Sequence, residues 1–224
     1  MKNSMNKVNY QKQLDEILRQ LPEKEPGKKL LLHSCCAPCS SYVLEYLSQY
    51  FDITVLYYNP NITEREEYEK RVSEQKRLIQ EMNGEAFRSG RKSISVEEGR
   101  YEPKRFFEAA KGLELAPEGG ERCFRCFEIR LRETARLASE RGFDCFTTTL
   151  TISPLKNADK LNEIGSRLAE EYGVMFLPSD FKKKNGYKRS VELSEKYGLY
   201  RQDYCGCIFS KNERDRRNSE KRGL

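Results

Sequence analysis

The sequence predicts a single α/β domain with a mostly parallel sheet flanked by helices. Two observations carry that expectation. Apolar runs at 30–36 and 52–58, the second rich in β-branched and aromatic residues, are each followed by a segment of helical period, at 38–50 and from about 63 to 82. Such alternation builds parallel sheets with right-handed crossovers. The second is a packed set of thiols, Cys35, Cys36 and Cys39, where the first strand gives way to a helix. The ends of strands in open α/β sheets are where ligand sites form. With 224 residues, 37% hydrophobic and 34% charged, the chain is long enough for one sizeable core.

Residues 1–28 read as a polar helical lead, 29–210 as the α/β domain and 211–224 as a charged tail. Leu14, Ile17, Leu18 and Leu21 have helical spacing, and Pro22 and the Pro26-Gly27 turn end that helix. The run Leu30-Leu31-Leu32 is a buried strand, and Pro38 suits the first turn of the next helix. After the strand at 52–58, Asn59-Pro60-Asn61 turns, and Thr63 with Glu66 makes a capping box. Asn83-Gly84 should stop the third helix, leaving a short strand over 85–88. Residues 93–112 could be helical despite Gly99 and Pro103. A strongly amphipathic helix then runs over 124–141, opened by Cys123 and Cys126. A strand at 143–150, a helix at 157–172 stopped by Gly173, and a strand at 174–177 complete the sheet. A basic loop, Lys182-Lys183-Lys184-Asn185-Gly186, precedes a short helix at 190–197.

Mean hydropathy is −0.83, and no apolar run is long enough to span a membrane. The polar start lacks the apolar core of a signal peptide, so a cytoplasmic protein is expected. There disulfides are rare, and eight cysteines point to metal or redox chemistry. A formal charge of +6 and a pI of about 8.8 are compatible with a nucleic-acid partner.

Seven of the cysteines fall into three clusters: Cys35, Cys36 and Cys39; Cys123 and Cys126; Cys205 and Cys207. Cys145, in a strand, reads as a packed, inert thiol. Cys123 and Cys126, at a helix start, suit a redox pair or half of a zinc or iron–sulfur site. Gly206 lets Cys205 and Cys207 turn tightly, as a strained disulfide or as two ligands. A closed zinc site takes four ligands, so seven candidates exceed one such site. His33, the only histidine, is a proton donor, a ligand, or a ring bonded to backbone at a strand end. Thr147, Thr148, Thr149, Ser153, Lys156 and Asn157 could bind phosphate or ribose, or serve as strand-end polarity and a helix cap. Three readings of the thiols compete: a shared metal centre with redox chemistry, a zinc-stabilised nucleic-acid-binding module, and a thiol–disulfide oxidoreductase working through Cys205 and Cys207.

The stretches His33-Ser-Cys-Cys-Ala-Pro38, Tyr57-Tyr-Asn-Pro-Asn-Ile62, Arg122-Cys-Phe-Arg-Cys126, Phe146-Thr-Thr-Thr-Leu150, Ile152-Ser-Pro154 with Lys156-Asn157, and Tyr200-Arg-Gln-Asp-Tyr-Cys-Gly-Cys-Ile-Phe-Ser210 resemble the cobalamin-independent epoxyqueuosine reductases of the QueH type. The resemblance covers about residues 29–210. It implies a Rossmann-like, adenine-nucleotide-hydrolase-like fold. It also implies reduction of the epoxide of epoxyqueuosine at the tRNA wobble position to give queuosine, the last step of that biosynthesis. Cys35, Cys36, Cys123 and Cys126 match the family's iron–sulfur ligands, implying a 4Fe-4S cluster. Cys205 and Cys207 match a terminal pair described as a redox-active disulfide or as part of the metal site. Some members hold an additional mononuclear iron. Cys39 stands where some relatives have aspartate, and both residue types ligate iron. Adjacent Cys35 and Cys36 would point to opposite faces of a strand, so either the strand has ended or the two serve different irons.

Epoxide reduction needs two electrons and protons, delivered from an electron donor that the sequence does not identify. Acid candidates are Tyr58, Asp203 and Tyr204. Lys182, Lys183, Lys184, Lys188 and Arg189, with the tail from Lys211, are expected to hold tRNA phosphates, and Tyr57, Tyr58, Tyr187 and Tyr204 to stack on bases.

Overall fold

The computed structural model describes residues 8–21, 27–88 and 92–222. Pro22 and Pro26, expected to end the first helix, lie outside them. Five strands form one all-parallel sheet among the described residues: β1 (Lys28–His33), β2 (Phe51–Tyr57), β3 (Ser95–Glu98), β4 (Cys145–Thr148) and β5 (Met175–Phe176). Their order is β3-β2-β1-β4-β5, so the chain direction across the sheet reverses between β1 and β4. This is a Rossmann-like arrangement, and the reversal opens a crevice beyond the strand ends. Pairing brings His33 opposite Leu56 on one side and Thr148 on the other.

Successive strand side chains separate two cores. Leu30 and Leu32 pack with Ile53 and Val55 beneath α1 (Tyr10–Arg19), α2 (Ala37–Leu47) and α3 (Arg65–Arg88). Leu31 and Phe146 pack on the other face with Phe127 and Leu131 of α5 (Glu121–Glu140) and Leu161 of α6 (Ala158–Tyr172). A sheet covered on both faces explains why its central strand reads as an unbroken apolar run. Asn157 caps α6 by accepting from Lys160 N at 2.9 Å, and Gly173, left-handed at φ 63°, ends it as expected.

Several boundaries differ from expectation. Asn83-Gly84 does not stop α3, which runs through the segment expected as a third strand to Arg88. Instead, the Asn83 amide pairs with Ile94, donating to its carbonyl at 2.8 Å and accepting from its N–H at 2.7 Å. That bond delivers the chain into the actual third strand, Ser95–Glu98. Residues 93–112 divide into this strand and α4 (Pro103–Ala110). Thr63 is not the cap of α3, which begins at Arg65; its N–H binds Gly206 O at 3.2 Å. The strand expected at 143–150 is cut to four residues by a 3-10 turn, Thr149–Ile152. Two further helices, α7 (Gly186–Lys196) and α8 (Ile208–Arg222), start earlier than expected.

Gly165 of α6 faces Phe176 of β5, and a Cβ there would stand 2.3 Å from the ring. At Gly84 the nearest atom to an added Cβ is the Arg88 side chain, 3.9 Å away. Both are helical, so alanine should help each by about 0.5–1 kcal/mol from backbone entropy alone. Gly84→Ala is expected to raise the urea midpoint, whereas Gly165→Ala should lower stability by about 1–3 kcal/mol through overpacking. Equal shifts in the two unfolding curves would show that the helix–sheet packing is not tight.

Candidate metal centre

Three helix N-termini carry the cysteine clusters. Cys36 is the extended N-cap residue of α2, with Pro38 in the first turn and Cys39 one residue beyond. Gly120 caps α5, placing Cys123 in its first turn and Cys126 in its second. Cys207 immediately precedes α8, and its carbonyl accepts from Lys211 N at 3.0 Å. A helix N-terminus favours thiolate over thiol.

The strand has ended before the doubled cysteine: β1 stops at His33, so Cys35 and Cys36 are not held to opposite faces. Their sulfurs stand 3.8 Å apart, and those of Cys35, Cys36 and Cys39 all lie within 4.8 Å of one another. Two thiolates on one tetrahedral ion with bonds of about 2.3 Å stand about 3.8 Å apart. Cys205 and Cys207 are free thiols with sulfurs 3.5 Å apart. Cys126 packs with Cys205, Cys207 and Phe106, while Cys35 packs on the apolar cluster that contains Cys123. Thus the first three sulfurs form one compact set, and the other four thiols lie in the apolar clusters beside it. Cys145 is apart from all of these, fully buried, its thiol pushed up to about 12 by burial.

In two of the three sets, charge concentrates on one sulfur. Hydrogen bonds from Cys36 and Cys39, then from Thr149, hold Cys35 well below an ordinary thiol, while Cys36 is pushed up to about 12. Cys205 is likewise lowered by Cys207, which is raised in turn. Burial raises Cys123 and pushes Cys126 up to about 11, opposed by Lys156 and Arg130. Arg130 is only 3% exposed and has no carboxylate within ion-pair distance among the described residues. Its Nε donates to Cys126 O at 3.0 Å. Burial works against the charge of Lys156, yet Cys205, then Cys123 and Glu118, raise its pKa overall. A buried cation without a carboxylate partner, such as Arg130, is costly unless another anion faces it.

His33 is fully buried and bonded at both nitrogens, to Thr148 Oγ1 at 2.9 Å and Tyr58 O at 3.1 Å. Thr148 Oγ1 accepts from Leu150 N, so its hydroxyl hydrogen is free for Nδ1, and Nε2–H donates to Tyr58 O. Burial, then Arg130, pushes the ring's pKa down to about 3. The ring is a neutral clamp joining the ends of β1, β2 and β4.

A strap over residues 200–207 closes the site. Arg71, 2% exposed and paired with Glu67 at 2.7 Å, donates to Tyr204 O and Cys205 O, and Asn61 Nδ2 donates to Cys205 O at 3.1 Å. Gly206 has φ 108° and lies against Ile62, where a Cβ would meet Cγ1 at 2.8 Å. Glycine is required there on both counts.

The thiols open into a cavity of about 280 Å³ lined by Cys35, Cys36, Cys39 and Cys205, with Glu118, Lys156 and Arg130. Tyr187, Tyr204 and Leu155 also line it, as do Arg201 and Arg217. Asp203 is at this wall but 61% exposed and held by Arg214 at 2.6 Å. Burial, then Glu67, pushes the Tyr204 phenol up to about 12, and the Arg71 and Arg214 guanidiniums lie over its ring. The basic loop is engaged elsewhere: Lys182 pairs with Asp180, Lys184 with Asp15 at 2.6 Å, and Arg189 with Glu45 at 2.7 Å. Lys183 and Lys188 are exposed. Sequence reasoning passed over Glu118, Arg71 and Arg130; only the turn around Glu118, next to Cys123, offered a signal.

The chemistry of the donor set fits a sulfur-ligated metal centre: thiols without disulfides, at metal-sharing distance, beside uncompensated cations. Buried polar atoms without partners, Tyr57 Oη and Gln75 Nε2, lie in the same region, since Tyr57 feels Cys36 and Gln75 Oε1 accepts from Ser34 and Ser40 beside the thiols.

The family model for epoxyqueuosine reductase QueH matches residues 30–213. A Staphylococcus epidermidis protein named epoxyqueuosine reductase QueH is 45% identical over 212 residues, covering 94% of this chain and 87% of that protein. A Streptococcus pyogenes protein of the same name is 42% identical over 208 residues, covering 93% and 80%. One from Thermotoga maritima is 37% identical over 194 residues, covering 85% and 94%. With identity of this extent running along nearly the whole sequence, and the thiol-bearing strand ends inside the matched region, the chain belongs to the epoxyqueuosine reductase QueH family.

Proposed function

We propose that this protein is an epoxyqueuosine reductase, an oxidoreductase that converts epoxyqueuosine to queuosine in tRNA. The observation that carries the reading is the thiol-lined cavity at the strand ends of a chain that belongs to this family. No described helix is long and apolar enough to cross a membrane. A cytoplasmic enzyme fits its free thiols and its substrate.

In this reading Cys35, Cys36, Cys123 and Cys126 hold a 4Fe-4S cluster, with Cys39 beside Cys35 and Cys36 available to an additional mononuclear iron. Such a centre supplies electrons one at a time and a Lewis-acidic open position. Cys205 and Cys207, 3.5 Å apart, can release two electrons and two protons by closing to a disulfide. That matches the demand of the reaction, in which both epoxide C–O bonds break, a C=C bond forms and oxygen leaves as water. An external electron donor then restores the dithiol. A cavity of about 280 Å³ holds one modified base and its ring. The wobble base therefore has to be turned out of its loop, which is cheap where it is unpaired. Asp203 and Tyr204 sit at the wall where that base would enter.

Two measurements test this reading. Cys123→Ala is expected to abolish the broad visible absorption of anaerobically purified protein and to lower its iron and sulfide content. Unchanged iron and sulfide would exclude Cys123 as a ligand, and a colourless wild-type protein holding zinc would favour the binding-module alternative. For tRNA, Arg201 and Arg217 border the cavity, and Lys183 and Lys188 are exposed without carboxylate partners among the described residues, whereas Lys182, Lys184 and Arg189 are already paired. Replacing Arg201 and Arg217 with alanine should weaken tRNA binding and reduce the salt slope by about one unit for each phosphate that is no longer neutralised. Alanine at Lys182 and Lys184 should do less, and the reverse ranking would move the phosphate track to the basic loop.

A further inference from the structure

The geometry points to Glu118 as the acid that protonates the epoxide oxygen, an assignment that rests on the reductase reading of the same cavity. Its carboxyl group lies in the Pro117–Gly120 turn before α5 and lines the cavity together with Cys35, Cys39 and Cys205. Oε2 accepts from the Ser210 hydroxyl at 3.2 Å, and Ser210 Oγ in turn accepts from Cys205 N at 3.2 Å. No cation stands within ion-pair distance of Glu118 among the described residues, and Oε1 has no hydrogen-bond partner there. One carboxyl oxygen is therefore anchored to the segment that carries Cys205, and the other is left to the cavity.

The alternatives on the same wall are worse placed. Asp203 is 61% exposed at the outer wall, and its carboxyl oxygen is engaged by Arg214 at 2.6 Å. The phenols of Tyr204 and Tyr58 are both pushed up to about 12, chiefly by burial, and Tyr58 faces Glu102 and Arg105 rather than the cavity. Around Glu118 stand Cys205 from the strap, Ser210 and Glu213 from α8, and Lys156 from the loop after β4. Burial first, then Cys205 and Glu213, raise its pKa against the opposing pull of Lys156 and Ser210. A carboxyl group shifted in this direction keeps its proton closer to neutral pH, as an acid catalyst requires.

The balance is simple. Removing the epoxide oxygen as water takes two electrons and two protons. Glu118 gives a proton to the oxygen as a C–O bond breaks, is reprotonated from solvent at the cavity mouth, and supplies the second as water departs. The electrons come from the reductant that the reductase activity already requires.

The test uses the full chain, anaerobically purified with its metal, supplied with a low-potential one-electron reductant and tRNA carrying epoxyqueuosine. Because the protonated form acts, wild-type kcat should be level at low pH and fall as pH rises through the Glu118 pKa. Glu118→Gln should lower kcat on the order of 10²–10⁴-fold and remove that falling limb. Its affinity for the tRNA should stay within about threefold of wild type, with iron content unchanged. Glu118→Asp should keep the limb at a reduced rate. A Glu118→Gln enzyme with wild-type kcat, or with the limb intact, would overturn the assignment. So would a loss confined to KM, which would make Glu118 a binding group. Should Glu118→Gln lose its metal, the aspartate variant decides: absence of the limb there refutes the acid role. Wild-type protein that leaves the epoxide intact would overturn the reductase reading itself, and the assignment with it.

Discussion

The arrangement depends on one electrostatic constraint: several sulfurs have to share a small space, and negative charge on neighbouring sulfurs is repulsive. The fold answers with three helix N-termini. Cys36 caps α2, Cys123 lies in the first turn of α5, and Cys207 leads into α8. Each brings the positive end of a helix dipole to its own sulfurs. Arg130 and Lys156 add full charges that no carboxylate among the described residues cancels at ion-pair distance. In two of the sets one sulfur takes the charge and its neighbours donate to it, as Cys36 and Cys39 do for Cys35 and Cys207 for Cys205.

Positioning is a separate task, performed by groups that bond to backbone and hydroxyls rather than to the sulfurs. His33 draws three strand ends together through Thr148 and Tyr58 while remaining neutral beside the thiols. A charged imidazole there would add to the local cations; a neutral one fixes geometry without altering the charge. Arg71 and Asn61 do the equivalent for the strap, binding backbone carbonyls rather than side chains, so the Cys205 sulfur is left free.

Much of this was legible in the sequence. The strand–helix alternation, the three thiol clusters and the stop at Gly173 depend on local patterns that the fold preserves. Asn83-Gly84 misled because a helix with tertiary support tolerates glycine, and because the Asn83 amide had a partner eleven residues ahead. The ion pairs of the lysine run with Asp15 and Asp180 cannot be seen from spacing. Glu118 is one glutamate among many, and Arg130 one arginine on an arginine-rich helix. What distinguishes them is the lack of an ion-pair partner among the described residues, a property that exists only once the chain has folded.

The His33–Thr148 bond joins residues 115 apart in sequence, and the β1–β4 pairing it completes is equally long-range. Parallel sheets of this kind form slowly, because loop closure precedes any reward from packing. Cys35, Cys36 and Cys39 are synthesised more than a hundred residues before the strand that pins them and the strap that covers them. For that interval the thiols belong to an unfinished chain and are open to any oxidant. The order of the sequence thus makes maturation of this protein depend on a reducing environment from its first strand onward.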